Sequence, residues 1–356
     1  MDLDNLYPVN FKKITIFNRK LFFDSKKVLI FGIKGSGKTY LVRNYLNEFK
    51  KSEFLYINLG DFRIKKENLK SNIELFTEKN RAIKLIVLDN FEFDFKLPEF
   101  DNLIVTSSIY KRLDNFEFKE LFPLDFEEYL SFDIRHQDTI ISFNNYLKDG
   151  TFPEIFFANR YDKTLKLQNI IKSLTKSESE LSILKNYLLY QGYPISIFQI
   201  FNNTKKEIKI SKDKFYEVTK RFIDNKILYF MEKHRAKNIN KKLYLVDFKM
   251  RSAISFSKEF PKEFENMIFL KLIKRLKEPF YSDKIEFILP KEKLAILSTP
   301  FILEESLKTK LNSIDEEALK FDIKNIKFIT VNFEFKLEYR GLKVEAIPFW
   351  MWAVED

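Results

Sequence analysis

Lys27-Val28-Leu29-Ile30-Phe31-Gly32-Ile33-Lys34-Gly35-Ser36-Gly37-Lys38-Thr39-Tyr40-Leu41-Val42-Arg43-Asn44-Tyr45 is the stretch that decides how the rest of the chain is read. Val28 to Phe31 form the short apolar run expected of a strand buried on both faces. Gly32 to Thr39 then satisfies G-x-x-x-x-G-K-[ST] at every specified position, and Tyr40, Leu41 and Tyr45 recur at the spacing of a helix facing a core. Three of only 7 glycines in the chain fall in this one loop, which argues against an accidental glycine turn.

The chemistry explains the spacing. Glycine at 32, 35 and 37 lets the backbone turn tightly and aim successive N–H groups inward, and together with the helix N-terminus these form a concave anion site. The expected nucleotide contacts are Gly32, Lys34, Gly35, Ser36, Gly37, Lys38, Thr39 and Tyr40. Lys38 reaches β- and γ-phosphate oxygens as a point charge, and the Thr39 hydroxyl is presented to a bridging Mg²⁺.

Working outward, Phe54 to Leu59 read as a second buried strand, and Leu85-Ile86-Val87-Leu88-Asp89 as a strand that brings a carboxylate to the phosphate end of the sheet. Asp89 is the expected second holder of Mg²⁺, and the strand between it and Thr39 favours the additional-strand branch of P-loop ATPases over the Ras-like arrangement. That branch commonly places Glu after the Asp to orient the attacking water, whereas this chain has Asn90. An amide can hydrogen-bond a water but cannot take its proton, so binding and hydrolysis are separate questions. Glu92 could substitute only if the loop turns it back. The next strand, Leu103-Ile104-Val105-Thr106-Ser107-Ser108, ends in three hydroxyls. Thr106 or Ser107 is expected to sense the γ-phosphate, and a plain Ser/Thr turn is the competing reading. The catalytic candidates are therefore Lys38, Asp89, Asn90, Glu92 and Thr106. Arg112 is the nearest candidate for a charge-stabilising arginine. No Asn/Thr-Lys-x-Asp guanine-reading segment occurs in this third of the chain, so ATP with Mg²⁺ is the expected ligand.

Composition bounds the rest. A chain of 356 residues has room for two or three domains, and 45% hydrophobic content excludes global disorder. No apolar run approaches the ~20 residues of a membrane-spanning helix. The N-terminus lacks an export pattern, so a cytoplasmic location is expected. There is no cysteine, hence no disulfide, zinc knuckle or thiol nucleophile, and the two histidines, His136 and His234, lie far apart.

A family resemblance enters further along. Phe118-Lys119-Glu120-Leu121-Phe122-Pro123-Leu124-Asp125-Phe126-Glu127-Glu128-Tyr129-Leu130 resembles the L-x-P-L-[ST]-F-x-E-[FY]-L segment of a large group of prokaryotic AAA-like ATPases. Tyr146-Leu147-Lys148-Asp149-Gly150-Thr151-Phe152-Pro153-Glu154 is similar to their Y-x-x-x-G-[GT]-[FY]-P-E. The resemblance implies a sheet of order 5-1-4-3-2, then a winged-helix region and a C-terminal domain like restriction-endonuclease folds. From the residues themselves, Leu121 and Phe122 read as the fifth strand, and Asp125 as the N-cap of a helix with Glu127 and Glu128 in its first turn.

Residues 155 to 179 read as a polar helical lid or linker. Leu181 to Leu189, Pro194 to Asn202 and a segment capped by Ser211 then read as three helices, the last carrying Phe215, Val218, Phe222 and Ile223 in one stripe. Ile227 to Met231 and Leu243 to Val246 read as strands flanking a basic loop, which completes a winged-helix plan. Thr204 to Arg251 holds 15 Lys and Arg against 6 Asp and Glu, so most of the chain's +11 sits in these 48 residues. DNA is accordingly the expected partner, through Lys212, Lys214, Lys220 and Arg221 on the third helix and Arg235, Lys237, Lys241 and Lys242 in the wing. A module packed on the ATPase with a solvated lysine face is the competing reading, with a protein partner or a second copy of the chain in place of DNA.

After an irregular stretch at 248–262, Glu265-Asn266-Met267-Ile268-Phe269-Leu270-Lys271-Leu272 looks like the helix that opens the family's endonuclease-like domain. Glu286 stands near the first acid of such sites, but the next strand, Leu294 to Thr299, has neither the Glu nor the Lys of Glu-x-Lys, so no nuclease activity is expected. Val344 to Trp352 reads as a strand leading into an apolar helix, with both Trp in packing roles. The expected architecture is α/β: a three-layer AAA-like P-loop domain over 1–165, a winged-helix module over 166–248 and a small α+β endonuclease-like domain over 249–356.

Overall fold

Four apolar pentapeptides and one polar tetrapeptide lie side by side in the first of two units into which a computed structural model divides the chain: Met1–Pro123 with Phe152–Glu154, and Leu124–Thr151 with Ile155–Asp356. The structure describes residues 3–9, 11, 19–133, 138–236 and 239–355. In the first unit β1 (Lys27–Phe31), α1 (Lys38–Leu46), β2 (Phe54–Asn58), α2 (Leu69–Lys79), β3 (Leu85–Asp89), β4 (Leu103–Ser107) and β5 (Glu117–Glu120) follow one another. Every neighbouring strand pair is parallel and the order is β2-β3-β4-β1-β5, the order that the resemblance implies.

These strands are apolar on both faces because both faces are covered. Alternation along β1 sends Val28 and Ile30 into one core with Leu41, Val42 and Leu46 of α1. It sends Leu29 into the other core, with Leu69, Ile73 and Phe76 of α2. The fifth strand departs from expectation: it is Glu117–Glu120, not Leu121-Phe122. As an edge strand it is only half-buried and carries a Glu117–Lys119 ion pair at 2.7 Å, so its charged sequence gives no strand signal. Leu121 extends the ladder by one bond, its N–H donating to Phe31 O at 2.7 Å. The carboxyl ends of β1, β3 and β4 thus come together, the place where open parallel sheets bind ligands.

The second unit begins with α3 (Phe126–Phe132), capped by Asp125 as expected. Asp125 Oδ1 accepts from Glu128 N at 2.8 Å and Glu128 Oε2 from Asp125 N at 3.2 Å, a reciprocal capping box. Next in the chain come α4 (Thr139–Asp149), α5 (Pro153–Phe156), whose first two residues are counted with the first unit, and α6 (Lys163–Ser173). α6 is not a free linker, since Leu167, Ile170 and Ile171 are buried. Gly150 closes α4 at φ 79°, and a Cβ there would lie 2.5 Å from Asp247 Oδ2. That oxygen accepts from Thr151 N at 2.5 Å and Thr151 Oγ1 at 2.6 Å, which gives the Gly-Thr pair a physical reason.

α7 (Glu178–Leu188), β6 (Pro194–Ile195), α8 (Ile197–Glu207), α9 (Lys212–Asp224), β7 (Leu228–Met231) and β8 (Lys241–Leu245) follow. The three strands form an antiparallel sheet of order β6-β8-β7. Phe215, Val218 and Phe222 of α9 are buried as the periodicity predicts. The stretch expected to be irregular contains α10 (Met250–Ile254) and the start of α11 (Phe260–Lys274). The remaining elements are β9 (Phe287–Leu289), β10 (Leu294–Ser298), α12 (Glu304–Lys320), β11 (Asn325–Thr330), β12 (Phe335–Tyr339), β13 (Leu342–Pro348) and α13 (Phe349–Trp352). They build a mixed sheet of order β12-β13-β11-β10-β9, with Leu307, Leu311, Ile314 and Ala318 of α12 packed on one face. β13 leads directly into α13, where Trp352 is buried.

Candidate nucleotide site

The loop after β1 begins with Gly32 N–H donating to Ser107 O at 3.1 Å, which ties it to the end of β4. A Cβ on Gly32 would sit 2.6 Å from both Leu121 O and Ser36 Oγ, so only glycine closes this turn. Gly35 and Gly37 hold φ of 87° and 95°, the left-handed region that aims consecutive amides the same way. Lys34 is exposed, Tyr40 is partly buried, and the Ser36 hydroxyl is buried without a hydrogen-bond partner.

Lys38 opens α1 and is buried. Its ammonium donates to Gly32 O at 2.6 Å, Ile33 O at 3.0 Å and Ser108 Oγ at 3.0 Å. Burial pushes its pKa down to about 8, with the Asp89 carboxylate opposing the shift and Lys34 adding to it. Asp89, wholly buried at the end of β3, gathers three hydroxyls. Oδ2 accepts from Thr39 at 2.6 Å and from Tyr56 at 2.7 Å, and Oδ1 accepts from Thr106 at 2.5 Å. Residues 38, 39 and 89 are therefore brought together as the sequence predicts.

The other catalytic candidates are placed differently. Thr106 is buried, its hydroxyl donating to Asp89 Oδ1 and accepting from the Asn90 backbone N–H at 3.0 Å. Ser107 donates to Phe91 O at 2.7 Å. The third hydroxyl of that strand end, Ser108, is the one that meets the Lys38 ammonium. Asn90 sits at φ 65° with its amide nitrogen donating to Asn58 Oδ1 at 2.9 Å. Glu92 does not turn back: it is exposed and faces Lys66 at 3.9 Å. Arg112 lies over the Phe118 ring.

Two residues escaped sequence reasoning, and a third was left without a role. Arg19 is buried and donates from Nη1 to Ser36 O at 2.8 Å and from Nη2 to Phe122 O at 2.6 Å, fixing the loop from behind. No pattern around Arg19 announces this. Tyr56 could have been suspected as the polar tip of an otherwise apolar strand whose register places Asn58 beside Asp89. Ser108 was legible as the last of three hydroxyls.

The residues present suit Mg²⁺ and a triphosphate. Thr39 and Asp89 are hard oxygen donors, and the cradle holds an orphaned Ser36 hydroxyl beside a glycine that cannot be replaced.

In the basic module Lys212, Lys214 and Lys220 are exposed on α9. Arg221 is only partly exposed and pairs with Glu180 at 2.5 Å, so its charge is not open to solvent as freely as expected. Lys242 is buried against Glu265 at 2.7 Å, and Lys241, which lies in β8 rather than in a loop, meets Glu232 at 2.7 Å. Arg235 is exposed and donates to Lys320 O at 3.1 Å. Lys237 lies outside the described residues. Glu286 stands before β9, where burial pushes its carboxyl up, and β10 beside it carries no carboxylate. Among the described residues no helix is long and apolar enough to cross a membrane.

Comparison with known proteins places residues 24–100 on the family model described as an AAA domain. The chain is 27% identical to an uncharacterized protein of Methanocaldococcus jannaschii, over 99% of this chain and 94% of that protein. Among solved structures it is similar to a Walker-type ATPase of Pyrococcus abyssi, at 13% identity and TM-score 0.40, covering 65% of this chain and 91% of the other. It is also similar to the Orc1 protein of Aeropyrum pernix in complex with DNA, at 11% identity and TM-score 0.35, covering 71% and 89%. Residues 24–100 thus match an AAA domain, and the first unit that contains them is an α/β fold with a parallel five-stranded sheet, consistent with a P-loop NTPase.

Proposed function

We propose that this protein is a Mg²⁺-ATP-dependent switch whose nucleotide state controls a basic module that acts on DNA. The single observation that carries the nucleotide part is the meeting of Lys38, Thr39 and Asp89 at the carboxyl ends of β1 and β3, on a loop that only glycine can form. Amide groups of the loop would hold the β-phosphate. Lys38 would leave the carbonyls of Gly32 and Ile33 for phosphate oxygens, and Ser108, now bonded to Lys38, would report whether a γ-phosphate is there. Thr39 and Asp89 would hold Mg²⁺, which when bound neutralises charge on the β- and γ-phosphates.

Turnover is slow in this reading, because the residue after Asp89 is an amide held by Asn58 and the next carboxylate, Glu92, is engaged outside with Lys66. The same observation favours a second reading, a non-hydrolysing ATP-bound switch that binds a protein partner. The order α7, β6, α8, α9, β7, β8 supports a winged-helix assignment. The mixed sheet behind it would be an endonuclease-like scaffold without nuclease activity, since β10 supplies no metal-binding acid. Nucleotide affinity and steady ATP turnover, each with and without duplex DNA, test the proposal. DNA-stimulated turnover that Lys38→Ala abolishes supports it, and tight binding without turnover or DNA retention leaves the second reading.

A further inference from the structure

The basic hairpin is where a wing would be expected to grip phosphates, yet Lys233, Lys241 and Lys242 are already paired with acids within its own unit. Past the end of β7, Lys233 bridges Tyr281, with His234 N–H donating to Tyr281 O at 2.8 Å and Tyr281 N–H to Glu232 O at 3.1 Å. The Tyr281 hydroxyl donates to Asn240 O on the returning arm. Lys233 pairs with Asp283 at 2.6 Å, Lys241 with Glu232 at 2.7 Å and Lys242 with Glu265 at 2.7 Å. His234 packs edge-on against the Phe321 ring at 4.9 Å. Among its described residues, ion pairs and ladder bonds tie both arms of the hairpin down, to Tyr281 and Asp283 before β9, to Glu265 of α11 and to Phe321 at the end of α12.

The corner between α8 and α9 differs. Lys205 and Lys206 in the last turn of α8, Lys209 in the connection, and Lys212 and Lys220 on α9 are all exposed, and none of the ion pairs found among the described residues engages them. Four of the five fall within eight consecutive residues, so chain connectivity alone keeps them together. Three acids share the span 205–220: Glu207 accepts from Asn186, Glu217 is occupied by Lys214, and Asp213 lies exposed in the first turn of α9, so the five lysines outnumber the one acid without such a partner. The N-terminus of the 13-residue α9 opens into this corner, adding partial positive charge.

We infer that the polyanion-binding surface of this protein is the α8–α9 corner, built from Lys205, Lys206, Lys209, Lys212 and Lys220, and that the occupant is a duplex nucleic-acid backbone, with the hairpin taking no part. The inference rests on the DNA reading above. A repeating row of phosphates fits five exposed ammonium groups spread from the last turn of α8 along α9 better than a single anion does.

The test is fluorescence polarisation of a labelled duplex of about 20 base pairs over a salt series, read on the full chain. The triple variant Lys205→Gln, Lys209→Gln, Lys212→Gln is expected to weaken binding at least tenfold and to flatten the log–log salt slope by about 3, near 0.9 for each phosphate no longer neutralised. The hairpin variant Arg235→Gln, Lys241→Gln is expected to stay within twofold of the unaltered protein. Thermal unfolding of both variants tells weakened DNA binding apart from impaired folding. If the hairpin variant loses affinity and the corner variant keeps it, the inference fails while the DNA reading stands. If the unaltered protein retains no duplex at low salt, the DNA reading itself fails and takes the inference with it.

Discussion

The Tyr56 hydroxyl donates to Asp89 Oδ2 at 2.7 Å, the same oxygen that takes the Thr39 hydroxyl at 2.6 Å. Both bonds aim one carboxylate lone pair toward the loop, while Thr106 holds the other oxygen. Burial first, and then the Asp89 carboxylate, raise the Tyr56 pKa well above its ordinary value, so this phenol stays a donor at any working pH. Tyr56→Phe keeps the ring in its core and removes only the donor. It is expected to raise the Mg²⁺ concentration for half-maximal nucleotide binding about tenfold, as loss of an outer-shell partner does elsewhere. Affinity measured in EDTA should not change. An equal loss with and without Mg²⁺ would instead show general damage to the site.

Arg19 supplies a second test, from behind the loop. Its guanidinium satisfies Ser36 O and Phe122 O, and removing it leaves two carbonyls without that partner, each worth about 1–3 kcal/mol when buried and charge-assisted. Arg19→Ala is expected to weaken nucleotide binding by about tenfold or more, with partial recovery in Arg19→Lys, which keeps the charge but lacks the planar fork whose two arms reach separate carbonyls. Melting curves with and without nucleotide read both effects. Unchanged affinity in Arg19→Ala would show that the loop needs no support from this side.

Lys38 links the site to pH. Its free-state pKa of about 8 lies below the ordinary lysine value, and a bound triphosphate stabilises the ammonium and raises it again. Below pH 8 the group is already charged and affinity is flat. Above pH 8 each binding event must take up a proton, so affinity falls toward tenfold per pH unit until the bound-state pKa is reached. Calorimetry at pH 8.5 in two buffers of different ionisation enthalpy should report uptake of about half a proton or more, absent in Lys38→Met. Proton release on binding would contradict the assignment.

Glu92 and Asn90 make a contrasting pair. Glu92 is exposed and paired outward, so Glu92→Gln is expected to leave any ATP turnover within twofold of the unaltered protein. A hundredfold drop would mean that the loop after β3 rearranges and brings this carboxylate to the water.

Much of the first unit was legible because β1 to β4 are buried on both sides, and burial of that kind writes itself as unbroken apolar runs such as Leu85 to Leu88. β5 was misplaced for the converse reason, being a half-exposed edge strand of alternating charge. The meeting of Lys38, Thr39 and Asp89 was legible because motif and strand spacing put them at one end of the sheet, whereas Arg19 and Tyr56 act through pairings that run 17 to 103 residues along the chain and leave no local pattern. The basic segment misled in a similar way. Composition counts Lys233, Lys242 and Arg221 as free charge, but the acids that neutralise them, Asp283, Glu265 and Glu180, lie 23 to 50 residues away.

The account stands or falls on nucleotide affinity, measured by titration calorimetry with ATP in the presence and absence of Mg²⁺ for the unaltered protein and for Lys38→Ala. It predicts saturable one-to-one binding that Mg²⁺ strengthens and that Lys38→Ala weakens at least a hundredfold. No binding of any purine triphosphate by folded protein, or equal affinity in Lys38→Ala, would contradict it.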